Sequence, residues 1–178
     1  DGPPPSAGGL GLAVPLLLSL PAADGTPLDA ALYEPAGREP GRAYPLVVSV
    51  YGGPHAQRVA DEWSLTVDLR AQRLAQRGIA VLKVDNRGSA NRGLAFESPL
   101  HLRMGFAEID DQAAAVRALA AQYDWIDIAR VGIYGWSYGG YATLMAMCRY
   151  PEIFRVGVAG APVTHWDGYD TAYTERYM

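Results

Sequence analysis

The chain has 178 residues, 49% of them hydrophobic, and a net charge of −4. That suffices for one sizeable core and is too little for two ordinary domains. Acids and bases are interspersed, so there is no basic face for a phosphate backbone, and no apolar run approaches the roughly 20 residues that a bilayer-crossing helix needs; neither nucleic acid nor membrane insertion is expected.

After a proline- and glycine-rich lead over residues 1–11, apolar runs at 16–20 and 28–33 flank an Asp24-Gly25 turn signal and predict an antiparallel hairpin. Leu16-Leu17-Leu18-Ser19-Leu20 with Ala22-Ala23 imitates a signal-peptide core, but Pro15 and Pro21 bracket a run too short for one and no positive charge precedes it, so it reads as a strand. Runs at 46–51, 79–84, 131–134 and 154–159 are near-continuously apolar, the pattern of strands covered on both faces. Between them Val67, Ala71 and Leu74 recur at helical spacing before Gly78, as do Phe106, Ile109, Ala113, Val116 and Leu119 before Tyr123. Strands alternating with helices predict an α/β fold with a mostly parallel, doubly wound sheet. The single cysteine, Cys148, excludes a disulfide within the chain, and its place in a helix-like apolar run predicts a buried small hydrophobe. Starting at Asp1 and stopping at Met178 inside a helix-like segment, the sequence has the pattern of a piece of a longer chain, and its excess of arginine over the one lysine, Lys83, points to a GC-rich bacterial genome.

The strongest chemical signal is Gly135-Trp136-Ser137-Tyr138-Gly139-Gly140. Five letters of a Gly-x-Ser-x-Gly pattern are weak in a glycine-rich chain, but here the strand-like Arg130-Val131-Gly132-Ile133-Tyr134 precedes and a helix-like run, closed by Pro151, follows. That context is a nucleophile elbow, whose turn is too tight for side chains at the flanking glycines and lifts the Ser137 hydroxyl clear of the sheet. Serine needs a base to take its proton, and the tetrahedral intermediate needs donors aimed at its oxyanion. The Tyr138 N–H, next after the nucleophile, is one such donor. Tyr51, opening Tyr51-Gly52-Gly53-Pro54-His55 after the predicted third strand, is either a phenolic second donor or an aromatic capping the strand end.

No histidine suits the base. In this kind of site the order is Ser, then Asp or Glu, then His; His55 and His101 precede Ser137, and His165 follows too soon, as do Asp167 and Asp170 for the acid. Trp166, Tyr169, Tyr173 and Tyr177, at spacings of three, four and four, would share one face of a helix, either as core or as an aromatic pocket beside the nucleophile.

Together with Asp85-Asn86-Arg87-Gly88-Ser89, Glu108-Ile109-Asp110-Asp111-Gln112, Ala161-Pro162-Val163 and the segment Tyr169-Asp170 through Tyr173-Thr174-Glu175-Arg176-Tyr177-Met178, these motifs resemble the prolyl oligopeptidase family over nearly the whole chain, and within it the dipeptidyl peptidase IV subfamily. The Asp-Asn-Arg-Gly-Ser version looks closest to dipeptidyl peptidases eight and nine and to bacterial relatives. The resemblance implies an α/β-hydrolase fold and a serine peptidase that releases Xaa-Pro or Xaa-Ala dipeptides from free N-termini without a cofactor or metal. It implies Ser137 as nucleophile, Tyr51 and the Tyr138 N–H as the oxyanion hole, and Val163, Trp166, Tyr169 and Tyr173 as walls of the pocket for the proline ring. Residues 1–178 would be the N-terminal portion of the catalytic domain, with the triad Asp and His beyond Met178, a β-propeller elsewhere, a homodimeric parent and a bacterial cytoplasmic or periplasmic location. An acylaminoacyl peptidase or prolyl endopeptidase of the same family is the alternative enzyme, disfavoured by the tyrosines of the last segment; a non-catalytic hydrolase-fold fragment is the alternative of another class.

Overall fold

The Asp24-Gly25 turn opens the sheet. β1 (Leu16–Pro21) pairs antiparallel with β2 (Pro27–Tyr33), Leu20 lying opposite Leu28, in a computed structural model that describes residues 11–178. β3 (Tyr44–Ser49), β4 (Ala80–Asp85), β5 (Ile126–Trp136) and β6 (Phe154–Gly160) follow the four apolar runs and lie parallel to one another, giving the order β1-β2-β4-β3-β5-β6. Only the β1–β2 and β2–β4 pairings are antiparallel, so the predicted mostly parallel sheet is present.

Alternation along each strand divides the core between two faces. Leu32, Leu46, Val48, Leu82 and Val84 pack on one side with Ile109, Ala113, Val116 and Leu119 of α4 (Ala107–Gln122) and Ala142 and Ala146 of α5 (Tyr138–Arg149). Ala31, Tyr33 and Val81 face the other way, against Leu65 of the short α1 (Trp63–Thr66) and Ala71 and Ala75 of α2 (Leu69–Gln76). Helices on both faces are what the double winding predicts. On the α2 side Lys83 is buried and its ammonium lies 2.6 Å from Asp68, which also caps α2 by accepting from the Arg70 and Ala71 amides. Burial pushes the Asp68 carboxyl up, but Lys83 and those amides outweigh it and hold it below its ordinary value.

Three expectations need correction. Cys148 is exposed, because α5 turns Ala142, Thr143 and Ala146 inward and Cys148 falls on the outer face. β6 is not covered on both faces: Val156 and Val158 are 63% and 58% exposed, since α2 stands over the β2–β4 region and the β5–β6 end keeps an apolar hollow floored by Val47, Tyr134 and Trp136. The third concerns Trp166–Tyr177, which is not a single helix. Trp166–Gly168 is a 3-10 turn, Tyr169 is extended, and Asp170 caps a separate α6 (Thr171–Tyr177) by accepting from the Tyr173 amide. An acceptor side chain at Asp170 offers a fresh helix start, and that local signal wins over the periodicity of the aromatics.

Candidate active site

β5 runs directly into α5 through Ser137, whose backbone sits at φ 57° and ψ −120°, a region a residue with a side chain seldom occupies. The Ser137 N–H donates to the Gly160 carbonyl at 2.9 Å, tying the turn to the end of β6. A Cβ on Gly135 would collide with the carbonyls of Gly139 and Val50, one on Gly139 would collide with Val50 again, and one on Gly140 would stand 2.6 Å from the Gly160 carbonyl. The glycines are thus required by close approach of three backbone segments, as an elbow demands. Tyr138 opens α5, where its N–H has no partner within the helix and remains available to a ligand.

The Tyr138 side chain is buried, and its hydroxyl donates to Glu108 Oε1 at 2.7 Å. Glu108 also accepts from the Gly105 and Phe106 amides, at 2.5 and 3.1 Å, which seals the start of α4. Burial pushes the Glu108 carboxyl up, against the lowering effect of these three donors. Burial, then the neighbouring Glu108, pushes the Tyr138 phenol far above its ordinary value, so it stays protonated and donating.

Tyr51 lies just past the end of β3, half-buried, with its ring 6.1 Å from that of Tyr138. Burial and then Tyr169 push its phenol up, which keeps the hydroxyl a donor at neutral pH. The loop behind it is held by a residue whose role its motif did not reveal. Asn86, fully buried, donates to the Gly52 carbonyl at 3.1 Å and accepts from Gln112 at 2.8 Å. Next to it Arg87 grips buried Asp111 through both Nε and Nη2 and reaches Asp24 in the hairpin turn. The available signal was the polar set Glu108, Asp111 and Gln112 interrupting the otherwise apolar inward face of α4, since buried polar groups persist where they have partners.

Trp166 also stands beside Tyr138, 5.8 Å away, and stacks on Tyr173 at 6.1 Å and 13°. Tyr169 meets both edge-on, at 6.0 and 5.3 Å, and Tyr177 lies 4.9 Å from Tyr173. The aromatic residues therefore converge although no one helix carries them. Burial first, then Tyr51, pushes the Tyr173 phenol well up. Val163 is half-buried on the connection from β6, three residues before Trp166 and next to Pro162, whose Cα faces Gly140. A cavity of about 420 Å³ opens at the far end of the cluster, lined by His55, Glu97, Leu100, His101, Arg176 and Tyr177; Ser137 is not among its walls.

No histidine among the described residues bonds Ser137. His55 is engaged by Tyr177 and Glu97, and His165 is exposed beside Asp167. No group of three or more His, Cys, Asp or Glu among the described residues is arranged to hold a metal ion.

Residues 65–178 match the family model described as "Prolyl oligopeptidase family", well over half of the chain. The chain belongs to the prolyl oligopeptidase family. Among its relatives, dipeptidyl peptidase 8 of Mus musculus is 49% identical over 164 residues, which are 92% of this chain and 18% of that protein. Venom dipeptidyl peptidase 4 of Apis mellifera is 38% identical over 148 residues, 83% of this chain and 19% of that one. A crystal structure from Bacteroides ovatus, assigned as a dipeptidyl aminopeptidase IV, superposes with a TM-score of 0.87 at 43% identity, over 94% of this chain and 24% of its own. The mixed sheet is thus the α/β-hydrolase fold of the prolyl oligopeptidase family, and the chain spans 18% to 24% of the length of these relatives.

Proposed function

We propose that this chain is the nucleophile-bearing portion of the catalytic domain of a serine dipeptidyl peptidase, one that releases dipeptides with proline or alanine second from the N-terminus. The observation that supports it most is Ser137 at positive φ in a strand–helix elbow, with Tyr51 and the Trp166–Tyr173 stack both gathered about the neighbouring Tyr138 ring. The names of the relatives, all dipeptidyl peptidases, agree with it.

In this reading Ser137 Oγ attacks the scissile carbonyl carbon while its proton passes to a base. The oxyanion accepts from the Tyr138 N–H and the Tyr51 hydroxyl, and collapse of the intermediate expels the amine, which takes the proton from the base and leaves the dipeptide esterified to Ser137. Water then attacks the ester by the same route in reverse order of groups. In this reading the base is a histidine outside residues 11–178, a reading supported by His55 being engaged by Tyr177 and Glu97 and by His165 lying exposed beside Asp167. Val163, Trp166, Tyr169 and Tyr173 receive the proline ring, a compact apolar group suited to aromatic faces. The homodimer expected of the parent belongs to this reading and is read from the solution mass of the full-length protein.

The test uses the full-length protein that carries this chain, a fluorophosphonate probe and an Ala-Pro chromogenic substrate. Wild-type protein is expected to label at Ser137 and turn the substrate over, and Ser137→Ala to do neither. Turnover that survives Ser137→Ala would remove the assignment.

A further inference from the structure

Among the described residues five that are not glycine have positive φ: His55, Asn91, Leu102, Ser137 and Ala161. Strain of this kind gathers where function needs it. Ser137 is the candidate nucleophile, and two of the others bond one residue, Tyr177. The Leu102 N–H donates to the Tyr177 carbonyl at 2.6 Å, and His55 Nδ1 lies 2.6 Å from the Tyr177 hydroxyl. His55 Nε2 lies 3.1 Å from Glu97 Oε2. In the tautomer that donates its Nε2–H to the Glu97 carboxylate, Nδ1 accepts from the Tyr177 O–H. The His55 amide in turn donates to the Gly88 carbonyl at 2.9 Å, in the same loop system that holds Gly52 through Asn86.

We infer that Glu97, His55 and Tyr177 form a clasp that fixes α6 against the Tyr51–His55 loop and so sets the position of Tyr173, making His55 a positioning residue for the proline pocket. The route is short. Tyr51 and His55 stand four residues apart in one loop, and Tyr177 follows Tyr173 by one helical turn with the rings 4.9 Å apart. Without the clasp, α6 is a seven-residue helix none of whose residues is fully buried, too short to hold its place by its own hydrogen bonds. The inference rests on the pocket reading above for its effect on substrate, though not for the clasp itself.

Kinetics of the full-length protein on Ala-Pro and Ala-Ala substrates test it with Tyr177→Phe, His55→Ala and their double variant. Tyr177→Phe removes one hydroxyl and keeps the ring on Tyr173. Each single variant is expected to raise KM for Ala-Pro about 5- to 20-fold with kcat within about twofold, the mark of lost ground-state positioning. The double variant is expected to lose no more than His55→Ala alone, because the two side chains act as a unit. His55→Asn, which tolerates positive φ and keeps an acceptor for Tyr177, is expected to recover part of the loss. Hydrogen exchange of the peptide covering residues 171–178 should quicken in His55→Ala and Tyr177→Phe. Unchanged exchange, or additive kinetic losses, overturns the clasp. Tyr173→Ala run in parallel separates the two readings: if it leaves the Pro-over-Ala preference untouched the pocket reading has failed, whereas the exchange result still decides the clasp.

Discussion

At the elbow, geometry is carried by backbone. Ser137 is held by its own N–H on Gly160, by the start of α5, and by three glycines at which backbone segments touch. At Trp166–Tyr177, geometry is carried by side chains: a 3-10 turn and a two-turn helix, mostly exposed, whose rings lean on one another and on Tyr138. The nucleophile must stand within a fraction of an ångström of its productive position, and backbone fixed on two sheet strands supplies that. A pocket wall has a looser task, and short elements stacked on a rigid partner suffice. Tyr138 belongs to both, with its amide at the elbow and its ring 6.1 Å from Tyr51 and 5.8 Å from Trp166.

The elbow fails first where backbone contact is forced apart. Gly139→Ala drives a methyl into the Val50 carbonyl beside Tyr51, and the cost is expected to reach about 4 kcal/mol or more, seen as loss of soluble protein or a collapsed denaturation midpoint. A cost under about 1 kcal/mol would mean that the elbow yields and that backbone does not set it. Next in size, Tyr51→Phe in the full-length protein should lower kcat about 100- to 1,000-fold with KM little changed, since an oxyanion donor acts on the transition state. An unchanged kcat would return Tyr51 to an aromatic capping β3. Smaller again is Glu108→Gln. The carboxylate accepts from Tyr138 and from two amides, and an amide in its place turns one acceptor into a donor facing a donor. About 1–3 kcal/mol of stability should be lost in chemical denaturation, and a neutral result would make Glu108 dispensable to the seat of Tyr138.

The same division decides what was legible in the sequence. The six strands, α2, α4, α5 and the elbow were, because apolar runs, helical spacing and glycines facing backbone are local signals. The aromatic cluster was legible as a group and not as a helix, since Asp170 restarts the chain at α6 and the rings converge through tertiary stacking. Cys148 and the open face of β6 depend on where neighbouring elements stop, which periodicity does not encode. Asn86, Glu108 and the Arg87–Asp111 pair act across 24 to 34 residues of sequence, so motif spelling flagged their segments without their roles.

The claim that joins the two regions is that the aromatic wall faces the nucleophile and selects proline. It is tested most directly by the ratio of kcat/KM for Ala-Pro over Ala-Ala substrates in full-length Tyr169→Ala and Tyr173→Ala, each checked by thermal melt. Losing one aromatic wall should cost the proline substrate about 1–3 kcal/mol relative to alanine, roughly a 10- to 200-fold drop in the ratio, with the melt little moved. A ratio held at the wild-type value while the melting temperature falls sharply would make the cluster core packing and contradict the account.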